Sequence, residues 1–197
     1  MENSADRPPR AGHLAISEPS AWVRRFAPLV RAGGSVLDLA CGGGRHARFF
    51  AGRGHPVLAI DRDTAPVADL AGPAVEILSH DMEDGGPWPL EGLTFAAVVV
   101  VNYLHRPLFP FLRAAVAPGG VLIYETFARG NERYSRPRNP AHLLEEGELL
   151  RLAGDGLSVV AFEQGIVERV PCPGVVQRLC AVAARPDPQP LYPPTLP

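Results

Sequence analysis

The chain has 197 residues, 46% of them hydrophobic, and a formal net charge of −2. This length suits one α/β domain with a well-buried core and is short for two domains of ordinary size. The near-neutral charge argues against a basic nucleic-acid footprint, and the longest apolar run, 95–101, is far too short to span a bilayer. We therefore expect neither a membrane nor a nucleic-acid partner.

Cysteine usage and the composition of the N-terminus bear on the compartment. Cys41, Cys172 and Cys180 form no C-x-x-C pair, and their odd number favours a reducing cytoplasm over a structural zinc site, so no metal is expected. Residues 1–12 are polar and lack the apolar core of a signal peptide, which predicts a flexible N-terminus. All nineteen basic residues are arginines, a composition that hints at a GC-rich bacterial genome.

Apolar strand-like runs alternate with helical patterns over most of the chain. Trp22, Phe26 and Val30 recur every four residues and predict a helix over 21–30. Beyond it, the patterns predict strand 35–39, helix 44–53, strand 57–60, helix 66–71, strand 75–79, strand 95–101, helix 108–116 and strand 121–127. This alternation is typical of βα units around a parallel sheet.

The pattern changes after residue 128. A helix predicted over 143–152 precedes two strands, 157–167 and 175–184, whose Gly/Pro-bearing connection is too short for a crossover helix. The chain therefore predicts a Rossmann-like, seven-stranded, mostly parallel sheet with helices on both faces and a C-terminal antiparallel β-hairpin. This domain would span 13–184, and six prolines in 185–197 predict an extended tail.

The most informative run is 36–47, where a short apolar strand leads into three glycines and the start of a helix. Such a unit cradles nucleotide-like ligands, because the backbone approaches closely and N–H groups point at the ligand. Gly42, Gly44 and Ala47 also fit the dinucleotide fingerprint G-x-G-x-x-A, so the glycines alone do not choose a ligand, and a tight turn without one is the plain alternative. Asp38 favours a ligand with positive charges, since a carboxylate there would weaken a pyrophosphate site.

The Asp-x-Ala-x-Gly-x-Gly arrangement of Asp38, Ala40, Gly42 and Gly44 resembles motif I of the class I methyltransferases that depend on S-adenosylmethionine (SAM). The runs 102–107 and 125–127 resemble a bacterial subfamily of that class, loosely similar to the tellurite-resistance methyltransferase group. The resemblance covers about 35–184 and leaves the substrate open. It implies that the protein is an enzyme that transfers a methyl group from SAM by in-line displacement.

The resemblance also implies where SAM would bind. Asp61, at the end of the second strand and 19 residues beyond Gly42, matches the acid that binds the ribose hydroxyls, and Arg62 would cover the adenine. Asp81 and Met82 match the adenine site. The plain alternatives are a turn residue for Asp61 and a helix cap or solvated loop residue for Asp81.

Two further residues complete the expected cofactor site and its acceptor side. Arg45, at the start of the helix, could reach the SAM carboxylate, and Asn102 should lie near the methyl group, because ligands bind beyond the carboxyl ends of parallel strands. The run at 102–106 departs from the pattern of methyltransferases that act on base amines. A general base is required only if the attacking atom carries a proton, and the candidates are Tyr103, His105 and Glu125.

An arginine-rich loop follows the fifth strand. It could clamp a carboxylate or phosphate of a small-molecule acceptor, or its side chains could pair with Glu132, Glu145 and Glu146 on a solvated surface. The candidate substrate-side residues are Arg106, Arg129, Arg133, Arg136 and Arg138. Two other functions stay open: an NAD(P)-dependent oxidoreductase, and a SAM-binding module without catalysis.

Overall fold

The computed structural model describes residues 17–168 and 173–184, which form a seven-stranded sheet of order β3-β2-β1-β4-β5-β7-β6. The strands are Val36–Leu39 (β1), Val57–Asp61 (β2), Val75–Ser79 (β3), Phe95–Val101 (β4), Val116–Phe127 (β5), Leu157–Val167 (β6) and Gly174–Ala183 (β7). β1 to β5 are parallel, and β7 runs antiparallel to β5 and β6. This confirms the predicted fold class. The proposed flexible segment 1–12 and the tail 185–197 lie outside the described residues.

The α-helices are shorter than the sequence pattern predicts. They are Ala21–Phe26 (α1), Arg45–Ala51 (α2), Phe109–Ala114 (α3) and Glu148–Ala153 (α4). The predicted helix 66–71 is a 3-10 helix over Ala65–Leu70, and the helix predicted from 143 begins only at Glu148, because the Leu144 N–H bonds to the carbonyl of Phe127 instead. In the described part of the chain, no helix is long and apolar enough to cross a membrane.

The fifth strand begins five residues earlier than predicted. Val116 pairs with Phe95, and the regular register resumes only where Val121 pairs with Ala97. The intervening Pro-Gly-Gly run, which reads in sequence as the end of a helix, is therefore a bulge within β5. Gly119 has a φ of 68°, which lets the chain make this excursion.

The alternation of side chains across β1 decides what each face of the sheet carries. Leu37 and Leu39 point into a core that also contains Tyr124, while Val36 packs on the opposite face with Trp22. Because side chains alternate along a strand, Asp38 shares the face of Val36, which α1 and α2 cover. The fold thus buries a carboxylate beneath the glycine turn.

We expect Gly120→Ala to destabilise the protein. A Cβ at this position would lie 2.8 Å from the carbonyl oxygens of Phe95 and Ala117, and backbone atoms cannot move aside as a flexible side chain does. Overpacking of this kind costs about 1–3 kcal/mol, which lowers Tm by several degrees in a chain of this size. Gly156→Ala is the control, since no atom lies within 4 Å of its Cβ. Equal Tm values for the two variants in thermal unfolding would contradict the described bulge.

Candidate functional site

The candidate site lies where β1 and β4 adjoin, the point at which the chain order in the sheet reverses. Open α/β sheets bind ligands at this point, beyond the carboxyl ends of their strands. Ala40 and Asn102 each follow one of these two strands and have left-handed φ values of 56° and 59°. This conformation costs an L-residue about 1–2 kcal/mol, and such strain concentrates at binding and active sites. The backbone strain and the topology therefore identify the same edge of the sheet.

Asp38, on β1, joins the strand to the start of α2 beneath the glycine turn. Its side chain is buried, and Oδ2 accepts the N–H of Ala47, in the first turn of α2, at 2.9 Å. Burial raises the pKa of Asp38 to about 7, against the opposing effects of the Ala47 hydrogen bond and the Arg45 guanidinium. One N–H of the first helical turn, that of Ala47, is thus already bound to a carboxylate.

Asp61 holds the glycine turn from the neighbouring strand. Its Oδ2 accepts the N–H of Gly42 at 2.9 Å, and Oδ1 accepts the N–H of Asp63 at 3.0 Å. Each carboxylate oxygen has a second lone pair, so the group can still accept hydrogen bonds from ligand hydroxyls. Gly44 has a φ of 71°, and a Cβ there would lie 2.6 Å from Val67, so the turn requires glycine at this position.

The next strand brings the third acid to the same edge. β3 pairs in parallel with β2, so that Ser79 is in register with Asp61 and Asp81 follows two residues later. The Asp81 Oδ1 accepts the N–H of Glu83 at 3.0 Å, a local contact within the loop after β3. Met82 packs against the core on the Leu37 face, and Arg62 is exposed.

Two of the three candidate bases are unsuited to that role. The Tyr103 hydroxyl is buried without a well-formed hydrogen bond to a described residue, and burial, with the nearby Glu83 carboxylate, raises the pKa of Tyr103. Glu125 is buried, accepts the hydroxyl hydrogen of Ser20 at 3.0 Å, and lies 2.9 Å from Nε of Arg178 in an ion pair. His105 is partly exposed, so of the three it keeps the contact with solvent that the buried Tyr103 hydroxyl and Glu125 carboxylate lack.

Arg106 serves as a clamp between two parts of the fold. Its Nε and Nη2 donate to the two carboxylate oxygens of Glu148 at 2.6 and 2.9 Å. Further donations reach the carbonyls of Ala141 and Leu143 at 2.7 and 2.9 Å. Arg106 was predicted to face the acceptor. Its guanidinium instead joins the segment after β4 to the 128–147 connection and to Glu148.

The arginine-rich loop is divided between structural and exposed side chains. Arg129 pairs with Glu145 at 2.8 Å, as expected if the loop is a solvated surface. Arg133, Arg136 and Arg138 are exposed, and Arg136 has an interaction partner.

Asn131, which the sequence did not single out, is fully buried in this loop. Its Nδ2 donates to two carbonyls of the loop, and its Oδ1 accepts the Val175 N–H. Its only sequence signal is an amide directly after a glycine.

The fold is that of known methyltransferases. Similar structures include TehB from Haemophilus influenzae (15% identity, TM-score 0.64, 80% of this chain and 60% of that one) and the N-methyltransferase NodS from Bradyrhizobium japonicum (14%, 0.59, 82% and 96%). A third is a 16S rRNA adenine methyltransferase from Catenulisporales acidiphilia (19%, 0.55, 85% and 91%). The chain thus spans about three-fifths of the length of TehB. No protein-family model and no curated sequence matches it.

These likenesses confirm, at the level of fold, the resemblance to class I methyltransferases and to the tellurite-resistance group. The protein therefore has the fold of these methyltransferases, and its candidate site lies at the carboxyl edge of β1, β2 and β4.

The buried charge of Asp38 predicts a pH-dependent effect of Asp38→Asn. A carboxyl with a pKa of about 7 in the folded protein and 3.8 unfolded destabilises the fold increasingly as the pH rises from 4 to 7, since only the unfolded chain then ionises freely. Asparagine keeps an oxygen for the Ala47 N–H and carries no charge, so the variant should gain several degrees in Tm above pH 7 and nothing near pH 4. A pH-independent difference in thermal unfolding would contradict the buried, destabilised carboxylate.

Proposed function

We propose that the protein is a SAM-dependent methyltransferase that acts on a small molecule. The observation that carries the proposal is the hydrogen bond from the Ala47 N–H to Asp38. A pyrophosphate binds best where the N–H groups at the helix start are free and no anion lies beneath them, whereas here the Ala47 N–H is bonded to a buried carboxylate beneath the turn. A cationic cofactor gains from the same arrangement. A dinucleotide-binding domain has a sixth parallel strand in its sheet, whereas here the strand beside β5 is the antiparallel β7, which also disfavours an NAD(P) site.

The residues present fit SAM. Asp61 would accept the ribose hydroxyls with its remaining lone pairs, and Asp81 with Met82 would hold the adenine, with Arg62 at its edge. Arg45 would meet the carboxylate, and Asn102 would lie beside the methyl group. Asp38, Ala40, Gly42 and Gly44 would shape the turn. When bound, SAM supplies a methyl group already activated on a sulfonium.

The protein would then contribute to the reaction mainly by aligning the acceptor with the methyl group. In-line displacement needs the acceptor held behind the methyl carbon in a dry pocket, and little else. His105 would take the proton from an acceptor that carries one at its attacking atom. Arg133, Arg136 and Arg138 would attract an anionic acceptor, since their guanidinium groups are exposed on the loop after β5. We place the reaction in the cytoplasm on the basis of the cysteine pattern.

Isothermal titration calorimetry tests the choice of cofactor. SAM and its product S-adenosylhomocysteine should bind, and NADH and NADPH should not, because the buried Asp38 carboxylate lies beneath the turn where a pyrophosphate would bind. A protein that binds NADH tightly and ignores SAM would overturn the proposal.

Substitution of Asp61 tests the ribose contact. Asp61→Ala removes at least one charge-assisted hydrogen bond, worth about 1.5–3 kcal/mol, so SAM affinity should fall by at least about ten- to two-hundred-fold. Since the Gly42 N–H also loses its acceptor, Tm without ligand should fall by a few degrees. Asp61→Asn should be milder on both measures because one acceptor oxygen remains.

The matched control for this experiment is Asp69→Ala. It removes an exposed carboxylate that pairs with Arg48 at 2.7 Å, so it changes charge equally and should leave SAM affinity unaltered. Unchanged binding in Asp61→Ala would show that the cofactor lies elsewhere.

The finding that two candidate bases are buried also favours an alternative, a SAM-binding module without catalysis. The two functions differ in one measurable product. A methyltransferase releases S-adenosylhomocysteine when SAM is incubated with a panel of small carboxylates, phosphates and amines, whereas a binding module binds SAM and releases none.

A further inference from the structure

Four buried polar side chains gather at the start of α2, next to the glycine turn. They are Ser20, Asp38, His46 and Glu125, each at most 9% exposed. A buried polar group destabilises a fold unless hydrogen bonds compensate, whereas an apolar residue would fill the same space without that cost. A role in the adjoining candidate site would explain why these four positions hold polar rather than apolar residues.

Ser20 connects three parts of this cluster. Its Oγ caps α1 by accepting the N–H of Trp22 at 3.1 Å, and its hydroxyl donates to Oε2 of Glu125 at 3.0 Å. Its own N–H donates to Nε2 of His46 at 3.2 Å. One residue therefore joins the start of α1, a carboxylate on β5 and the first turn of α2.

His46 takes part as a neutral acceptor. Burial, and then the charge of Arg45, lower the pKa of His46 to about 3, so Nε2 keeps its lone pair for Ser20 at physiological pH. Nδ1 lies 3.9 Å from Oδ1 of Asp38, too far for a hydrogen bond. These residues are not a nucleophilic triad, because the Ser20 hydroxyl donates to Glu125 and not to the imidazole.

The same N-terminal segment holds Arg45. Nη1 of Arg45 donates to the carbonyl of Glu18 at 3.2 Å, so Glu18 and Ser20 bind two consecutive residues of α2. Burial lowers the pKa of Arg45, while the nearby carboxylates of Glu125 and Asp38 oppose this shift and keep the guanidinium charged. A cation fixed beside the glycine turn suits a ligand carboxylate.

We infer that Ser20 and His46 are positioning residues that hold Arg45 where it receives the carboxylate of the amino-acid end of the cofactor. The inference rests on the proposed function. Neither side chain needs to touch the ligand. The Ser20 hydroxyl fixes the segment whose Ser20 N–H and Glu18 carbonyl bind the first turn of α2, and His46 accepts that N–H from within the turn. The adenosine end depends on other strands, through Asp61 and Asp81, and should not respond to them.

Calorimetry with two ligands that differ at that end tests the inference. S-adenosylhomocysteine has the amino-acid end, and 5′-methylthioadenosine lacks it. Ser20→Ala should weaken S-adenosylhomocysteine about tenfold, the equivalent of one hydrogen bond, and 5′-methylthioadenosine by less than about twofold. Ser20→Thr keeps the hydroxyl and should restore most of the affinity for S-adenosylhomocysteine.

A second variant separates positioning from the loss of the helix cap. His46→Leu removes the acceptor for the Ser20 N–H and leaves the α1 cap in place, and it should give the same split between the two ligands. Equal weakening of both ligands, in either variant, would show a merely structural role and overturn the inference. A wild-type protein that binds neither ligand would refute the proposed function, and the inference with it.

Discussion

The hydrogen bond between the Ala47 N–H and the Asp38 carboxylate is the constraint on which the candidate site depends. It joins the end of β1 to the start of α2 across the glycine turn, and it places a buried carboxylate under the turn. Burial raises the pKa of Asp38 to about 7, so near neutral pH the fold bears a destabilising group. Under the proposed function, selectivity toward a positively charged cofactor would offset this loss of stability.

The remaining parts of the site are equally pre-formed. Asp61 binds the amide of Gly42 from the neighbouring strand, while Arg45 is held by the N-terminal segment through the Glu18 carbonyl. Because parallel strands end at one edge of a sheet, that edge receives Asp38 near the end of β1, Asp61 at the end of β2 and Asp81 shortly after β3. A ligand then meets groups whose orientation is already fixed, which lowers the entropic cost of binding. The strained backbone of Ala40 and Asn102 lies at the same edge.

Much of the fold was predictable because its signals are local. Continuous apolar runs located β1 and β4, and the short Gly/Pro connection predicted the antiparallel pair β6 and β7. The glycine run at 42–44 indicated the candidate site. Helix lengths were less predictable, since Leu143 and Leu144 have an apolar, helix-like pattern yet the Leu144 N–H pairs with β5. The Pro-Gly-Gly run likewise fits a helix end and a strand bulge equally well without knowledge of its partner, Phe95.

The unpredicted features are contacts between residues far apart in the chain. The partner of Arg106 is Glu148, 42 residues away, and no local pattern distinguishes that pair from an arginine that faces a substrate. Ser20 and Glu125 are separated by 105 residues. Ser20 reads in sequence as an ordinary polar residue, and Glu125 was predicted as a candidate base rather than as the acceptor of a buried hydrogen bond. Local sequence patterns predict secondary structure and turns. The partner of each charged side chain depends instead on which groups the tertiary fold brings together.

A crystal structure of the complex with S-adenosylhomocysteine is the most direct test of the central claim. We predict that the Ala47–Asp38 hydrogen bond persists in the complex, with the ribose hydroxyls on the Asp61 carboxylate and the amino-acid end beside Arg45. The account would be contradicted by a complex in which Asp38 releases the Ala47 N–H to the ligand, or in which the ligand lies away from the carboxyl edge of β1 and β2.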